Sequence, residues 1–491
     1  LYTPIDEIGY FDDIPILVEK YNSKLLKRLP NSDSFLVLEN GFLYINEYEK
    51  NSIKIIKKLD EYVNKVESSL NEIVSFYIDL LFDETISNDK EIILKDIFKN
   101  SSIAFIYGPA GTGKTKMIEI LSLAFNNHSK CIIANTNTAV SNLNSRLEVD
   151  ENLSIMTVNN YIKYYDGQCD ILIIDECSTV NNKDMLKILD KMNYTAIIMV
   201  GDIYQIESIQ YGNWFQICSR YYKTGISYEL EMTHRTSDSD LLDLWTCVRN
   251  NDKRAISIMS NKEYSEEVSK NIFNRIEDEE VILCLNYDGM YGINNINRVM
   301  QSTNKNKEYI FGVDIFKVDD PILFNDCPRF NGFVYNNLKG TIKNIEEEEN
   351  CMWFSIEVDK DSISPFYAPD DIIFIESDKE EKIIIKFKVN EFKDKDDDEN
   401  EYDHIIPFNL SYAISIHKAQ GLEYDSVKVV ITSNVEDRIS KNIFYTAITR
   451  AKKQLKIYWS PDSQEKIFEG FDKKESKRDL GILNQKIKKD E

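Results

Sequence analysis

Short runs of four or five residues, wholly apolar or broken by a single lysine as at Lys428 and Lys456, recur along much of this chain. They stand at residues 103–107, 131–134, 171–174 and 196–200, and a second set stands at 281–285, 427–431 and 455–458. Such runs are too short for buried helices, and most are too uniformly apolar for strands with one wet face. They predict strands covered on both sides, and the helical spacing between them predicts parallel strands joined by helices. Residues 53–81 differ: apolar positions fall at mixed three- and four-residue spacing, so residues 1–85 are expected to be a mostly helical N-terminal region. Residues 330–405 differ again, with Gly, Asn and Asp among alternating β-formers, as at 382–389. That texture predicts a small β-subdomain inserted into the second set.

The expected class is therefore α/β. A first parallel-sheet domain is placed at 86–255, a second at 256–329 and 406–470, and a charged C-terminal tail at 471–491. No internal repeat of solenoid length interrupts this order.

A chain of 491 residues is too long for one ordinary core. Apolar residues make up 42% and charged residues 29%, the profile of a globular protein. No apolar run approaches the ~20 residues needed to cross a bilayer, so no membrane partner is expected. The eight cysteines form no C-x-x-C pair and there are four histidines. That argues against zinc and against a disulfide framework, and for a reducing, intracellular compartment. The formal net charge of −24 excludes a protein that simply coats nucleic acid. It does not exclude strand binding along one positively lined channel. Part of the acid sits in two runs, 346–349 and 394–403, which read as solvated loops.

The chemistry begins at Gly108, Pro109, Ala110, Gly111, Thr112, Gly113, Lys114 and Thr115, followed by Lys116. This is G-x-x-x-x-G-K-T between a predicted strand and a predicted helix. In that context glycines let backbone N–H groups close around phosphates, and the helix N-terminus adds its positive end. Lys114 suits the β- and γ-phosphates, and Thr115 suits Mg²⁺. The run at 171–174 ends in Asp175 and Glu176: a second Mg²⁺ ligand, and a carboxylate that polarises the attacking water. A strand that merely stops at two acids is the alternative for that pair taken alone. Gln205 follows the run at 196–200 and suits contact with a γ-phosphate. Arg235 and Arg450 suit the charge of a transition state, although a lone arginine is more often a surface residue.

Taken in order, these pieces resemble the superfamily 1 helicases, most closely their RecD-like branch. The resemblance runs from about Ser101 to Trp459. It is carried by GPAGTGKT at 108–115, NTNTAVSNL at 135–143, TVNNYI at 157–162 and IIDE at 173–176. It continues with GDIYQIESI at 201–209, THR at 233–235, SYAISIHKAQGLEYDSV at 411–427 and YTAITRAK at 445–452. The resemblance implies two RecA-like motor domains that use ATP and Mg²⁺. It implies that Arg235 and Arg450 reach the γ-phosphate and that Glu423 lies near the nucleotide. It also implies that Thr136, Asn137, Thr157, His417 and Lys418 line a strand-binding groove. Short polar side chains there would position a backbone without reading sequence. A helix cap is the competing role for Thr136 and Asn137. Trp214 and Phe215 would stack on bases or, as large aromatics more commonly do, pack the core. The stretch from Asp320 to Phe324 and then Phe333 to Ile342 resembles the start of an SH3-like subdomain, which in this family marks the branch moving 5′ to 3′.

Three departures stand out. No glutamine precedes Gln168 to read adenine. Gln205-Ile-Glu207 replaces Gln-Leu-Pro. Only residues 144–156 separate the NTNTAVSNL and TVNNYI elements, where duplex-splitting relatives carry a hairpin wedge. Two functional readings follow. One is an ATP-dependent helicase or translocase on single strands, DNA favoured over RNA. The other is a strand-stimulated ATPase switch or motor that serves a partner, such as a nuclease or a defence or repair complex, without unwinding by itself. A partner would dock on residues 1–85 or on the acidic surface.

Overall fold

The computed structural model describes residues 1–491 apart from 9–12, 81–86, 149, 209, 223–224, 234–235, 237, 276–278, 331, 364, 366–367, 393–401, 472–474 and 491. The chain divides into two compact units. The first comprises residues 1–136, 147–235 and 472–491; the second comprises 137–146 and 236–471.

The first unit is built on a six-stranded, wholly parallel sheet. Its order is Leu153–Thr157, Lys130–Ala134, Ile171–Asp175, Ala196–Gly201, Ile103–Tyr107 and Ser227–Glu229. The apolar runs become the interior strands because both their faces are covered: Ile103, Phe105, Ile133, Leu172, Ile174, Ile197 and Met199 all enter one core. Helices Lys114–Ala124, Asn182–Lys191 and Trp214–Tyr221 connect the strands.

Residues 1–85 are mostly helical as expected, with helices Ile14–Arg28, Asn46–Val63 and Ser68–Leu80. They also carry a small antiparallel sheet of Thr3–Pro4, Leu36–Glu39 and Phe42–Ile45 that the helical spacing gave no sign of. They do not stand apart. Ile55, Ile56 and Leu59 of the helix Asn46–Val63 are fully buried in the core of the first sheet.

The charged tail expected at 471–491 is corrected. Residues Glu475–Asp490 form a helix, and Leu483 and Ile487 are buried in the same core. Two of its cations are held: Lys486 reaches Glu39 and Glu49, each at 2.6 Å, and Arg478 donates to the Tyr2 carbonyl at 2.8 Å. A composition rich in Lys hid two apolar residues spaced one helical turn apart.

The second unit holds a five-stranded parallel sheet, ordered Ser265–Glu266, Ala451–Tyr458, Tyr424–Val430, Glu280–Cys284 and Ala413–Ser415. Helix Ser239–Arg249, expected in the first domain, belongs to this unit, where the Trp245 indole donates to the Ile448 carbonyl at 3.2 Å. The insertion is a six-stranded antiparallel sheet of Ile373–Glu376, Lys382–Asn390, Cys351–Asp359, Lys339–Glu348, Pro321–Phe324 and Phe408–Leu410. It therefore reaches beyond 330–405 at both ends, because the short strands at 321 and 408 pair with each other. The acidic run at 346–349 is mostly strand rather than loop, with Glu346 held by Lys386 at 2.8 Å. The run at 394–403 falls largely outside the described residues. All eight cysteines are free thiols, and seven are buried. Among the described residues no helix is long and apolar enough to cross a membrane.

Candidate active site

Within the first unit, four neighbouring strands end at one edge. Register sets Tyr107 opposite Gly201 and Ala134 opposite Asp175, so the turns that follow them fall side by side. The carboxyl edge of an open parallel sheet is where ligands bind, because the chain leaves each strand there in a loop.

Strand Ile103–Tyr107 runs into the glycine-rich loop. Gly111 and Gly113 take φ of 81° and 83°, a conformation that costs a residue with a Cβ. A Cβ on Gly108 would come within 2.4 Å of the Leu230 carbonyl oxygen. The Thr112 hydroxyl donates to the Pro109 carbonyl at 2.9 Å and tightens the turn. Helix Lys114–Ala124 opens at Lys114, whose ammonium lies over the loop and donates to the carbonyls of Gly108 and Pro109, each at 2.8 Å. A helix N-terminus and an ammonium thus meet at the glycine-rich loop, which suits a polyphosphate. Ala110 is buried beneath the loop. Lys116 instead lies along the helix, paired with Glu119 at 2.8 Å.

Asp175 ends the strand Ile171–Asp175 and accepts the Glu176 N–H on Oδ1 at 2.8 Å. Desolvation raises its pKa, opposed by that N–H and by the Lys114 ammonium, which places the two charges in mutual reach. Thr115 and Asp175 offer hard oxygen donors, the kind Mg²⁺ prefers. A bound Mg²⁺ would supply charge neutralisation at the phosphates. Glu176 has φ of 51° without being glycine. Backbone strain of that kind persists where neighbours over-determine the geometry. Here the Glu176 carbonyl is held by the Thr179 hydroxyl at 2.8 Å, and its carboxylate accepts from the Thr136 hydroxyl at 3.4 Å.

Gln205 is aimed by Asp202. The buried Asp202 carboxylate accepts the Gln205 side-chain amide at 3.0 Å and the Tyr204 N–H at 2.9 Å. The motif Gly-Asp-x-x-Gln marked Gln205, and Asp202 as its holder came only with the structure.

Among the strand-binding candidates, Thr157 is the N-cap of helix Val158–Tyr164, its hydroxyl accepting the Asn160 N–H at 3.2 Å. Asn137 is the exposed first residue of helix Asn137–Asn144, and the Thr136 hydroxyl turns to Glu176. In the second unit His417 is exposed and Lys418 half-buried in a turn, where the Ser415 hydroxyl accepts the Lys418 N–H at 3.1 Å. Glu423 pairs with Lys452 at 3.4 Å. Arg450 is 1% exposed. Its guanidinium donates to the Thr446 carbonyl at 3.0 Å, the Leu422 carbonyl at 3.2 Å and the Thr449 hydroxyl at 3.3 Å. Arg235 lies outside the described residues.

The stacking role considered for Trp214 and Phe215 is corrected. Trp214 is 0% exposed and donates its indole N–H to the Val180 carbonyl at 2.7 Å, and Phe215 is buried against Gly201. Neither ring has a free face for a base. Helix Trp214–Tyr221 turns its aromatic residues inward, and two adjacent aromatics at a helix start gave no signal of which way they would face.

Two family models match the chain: an AAA domain over residues 86–270 and a UvrD-like helicase C-terminal domain over 410–458. The RecBCD enzyme subunit RecD of Buchnera aphidicola subsp. Schizaphis graminum is 23% identical over 525 residues, spanning 86% of this chain and 81% of the relative. RecD of Haemophilus influenzae is 22% identical, spanning 78% and 70%. Among solved structures, Pif1 helicase from Candida albicans superposes with a TM-score of 0.50 at 14% identity, over 82% of this chain and all of that one, which shows a shared fold. With its phosphate loop, its Asp-Glu pair and its two parallel-sheet RecA-like domains, the chain belongs to the superfamily 1 helicases, in their RecD-like branch, and is an ATP hydrolase of the P-loop type.

Proposed function

We propose that this protein is an ATP-dependent DNA helicase or translocase that moves along a single strand from 5′ to 3′. The observation that carries the reading is the convergence of Lys114, Asp175, Glu176 and Gln205 at one sheet edge. There Thr136, which opens the segment toward the strand, touches the Glu176 carboxylate. Residues 108–116 would receive the phosphates of ATP, and Thr115 and Asp175 would hold Mg²⁺. Glu176 polarises the attacking water and Gln205 reports the γ-phosphate. Arg235 and Arg450 neutralise the developing charge, and Glu423 lies by the nucleotide. Arg450 must leave some of its present carbonyl partners to do so. Thr136, Asn137, Thr157, His417 and Lys418 hold the strand through its backbone. DNA is the favoured strand, in keeping with a 26% identical relative, the ATP-dependent DNA helicase dda of Enterobacteria phage T4. The first motor domain lies within the first unit and the second within the second, the inserted sheet being the SH3-like subdomain. The setting is intracellular.

A second reading is favoured by one feature. Between helix Asn137–Asn144 and strand Leu153–Thr157 there are eight residues, and among those described none forms a hairpin. A motor without a wedge there serves a partner rather than splitting duplexes alone. The docking face for that partner is the acidic surface or residues 1–85, where helix Ile14–Arg28 leaves Ile16, Leu17, Tyr21 and Leu26 exposed. ATPase and unwinding assays with DNA and RNA carrying 5′ or 3′ tails test both readings. ATP turnover stimulated by 5′-tailed DNA supports the first reading. Turnover unaffected by any strand overturns both.

A further inference from the structure

Among the described residues four lysines are buried to 6% exposure or less: Lys90, Lys130, Lys317 and Lys428. Three of them face a carboxylate. Lys130 pairs with Asp150, Lys317 with Glu308 at 3.1 Å and Lys428 with Glu280 at 2.8 Å. That is the usual condition for burying an ammonium, since an unpaired buried charge is strongly disfavoured. Lys90 is the exception, with no ion pair or side-chain hydrogen bond to any described residue. It lies in the first turn of helix Asn88–Asp96, and its Cε and Nζ come within 2.8 Å of where a Cβ would stand on Gly113 of the phosphate loop. The same turn holds two more unanswered polar groups. The Ser87 hydroxyl and both Asp89 carboxylate oxygens are shielded from solvent without a hydrogen-bond partner. Lys90 thus has most of its surface covered and its ammonium set against the loop that cradles phosphate, where a bound polyphosphate would supply the counter-charge.

We propose that Lys90 is a nucleotide-binding residue whose ammonium donates to an acceptor of the bound nucleoside triphosphate, either a phosphate oxygen or purine N7. The proposal rests on residues 108–115 being a phosphate loop and adds what that loop's neighbour recognises. An ammonium only donates. Adenine offers an N7 acceptor and an N6 amino donor, whereas guanine offers acceptors at both N7 and O6. Lys90 can therefore answer N7 of either purine but cannot accept from the adenine amino group. A phosphate contact would discriminate among bases still less. The enzyme is expected to hydrolyse GTP with a kcat/KM within about tenfold of that for ATP. The absence of any glutamine before Gln168 then reflects a site built on charge rather than on adenine's paired donor and acceptor.

The test is steady-state hydrolysis of ATP, GTP, CTP and UTP by the full chain with oligo-dT present, for the parent, Lys90→Met and Lys90→Gln. Inorganic tripolyphosphate serves as a competitor. Lys90→Met keeps the aliphatic stem, and thermal melting reports whether it folds. The expected result is a KM raised about tenfold with kcat nearly unchanged, the signature of lost ground-state binding. If all four nucleotides and tripolyphosphate weaken together, the acceptor is phosphate. If ATP and GTP weaken and CTP and UTP do not, it is N7. A folded Lys90→Met enzyme with parental KM for every nucleotide overturns the proposal alone, as does a parent that prefers ATP over GTP by more than about a hundredfold. A parent that neither binds nor hydrolyses any nucleotide overturns the phosphate-loop reading along with it.

Discussion

The hydroxyl of Thr136 meets the carboxylate of Glu176 at 3.4 Å, across two neighbouring strand ends of the first sheet. Thr136 opens the segment proposed to hold the strand, and Glu176 is proposed to polarise the attacking water. A contact that long is weak and easily exchanged for another partner. Strand occupancy can therefore reset the carboxylate. Thr136→Val should leave the KM for ATP unchanged and lower the strand-stimulated kcat by about tenfold, with little effect on turnover without a strand. Comparing kcat with and without oligo-dT checks this; an equal fall in both conditions would show Thr136 to be merely structural.

Turnover depends on Lys114 and Glu176 in different ways. Lys114→Ala removes the ammonium from the loop and should weaken ATP binding and hydrolysis together. Glu176→Gln keeps the shape and loses the base, so it should bind ATP normally and hydrolyse it about 10²–10⁴-fold more slowly. Binding of a fluorescent nucleotide beside a turnover assay separates the two. Parental turnover by Glu176→Gln would mean that another group handles the water.

Trp214 makes a stability prediction in place of a binding one. Its ring is fully buried and its N–H satisfied by Val180. Trp214→Ala should cost about 3–5 kcal/mol in denaturant unfolding. Strand affinity of the folded fraction should stay at the parental value. A variant of normal stability with weakened strand binding would restore the stacking role.

Asp320 organises the start of the inserted sheet. Its fully buried carboxylate accepts from Gln301 at 2.6 Å, Tyr412 at 2.8 Å, Asn304 at 2.9 Å and the Lys317 N–H at 2.9 Å. Asp320→Asn turns one acceptor into a donor facing other donors. The expected loss is about 1.5–3 kcal/mol, visible as a lower unfolding midpoint. An unchanged midpoint would mean that the amide finds partners by rotation.

What could be read from the sequence follows a physical division. The two parallel sheets were legible because a run such as 171–174 can be apolar on both faces only between layers of helix. The phosphate loop was legible because glycine and lysine spacing answers directly to phosphate geometry. Side-chain direction was not legible: nothing in Trp214-Phe215 says that a helix turns both rings inward. Nor does a helix such as Glu475–Asp490, whose charges outnumber its apolar residues, announce that Leu483 and Ile487 complete a core laid down by the other end of the chain. Lys90 was invisible for a related reason. A lysine on a short helix is ordinarily solvated, and only its depth and its distance from Gly113 single it out.

The segment that follows the helix proposed to face the nucleic acid is the basis of a prediction about unwinding. Eight residues separate the end of helix Asn137–Asn144 from the start of strand Leu153–Thr157. An extended two-stranded pin needs several residues in each arm plus a turn, which this length does not allow. Opening a base-pair step costs on the order of ~1.4 kcal/mol, so a motor without a rigid element at the fork waits for thermal fraying. Translocation has no such requirement, since it needs only the two motor domains and their grip on the backbone. The full chain should therefore displace streptavidin from the end of a 5′-tailed DNA much faster than it releases an annealed strand from the same substrate. Deleting residues 1–85 is the wrong control, because Ile55, Ile56 and Leu59 would leave a hole in the first core. Varying the duplex separates the cases better. Without a wedge, release should slow steeply as G·C content rises while displacement stays constant. Release that matches displacement at every G·C content, with no partner added, would show that this chain carries a working wedge elsewhere.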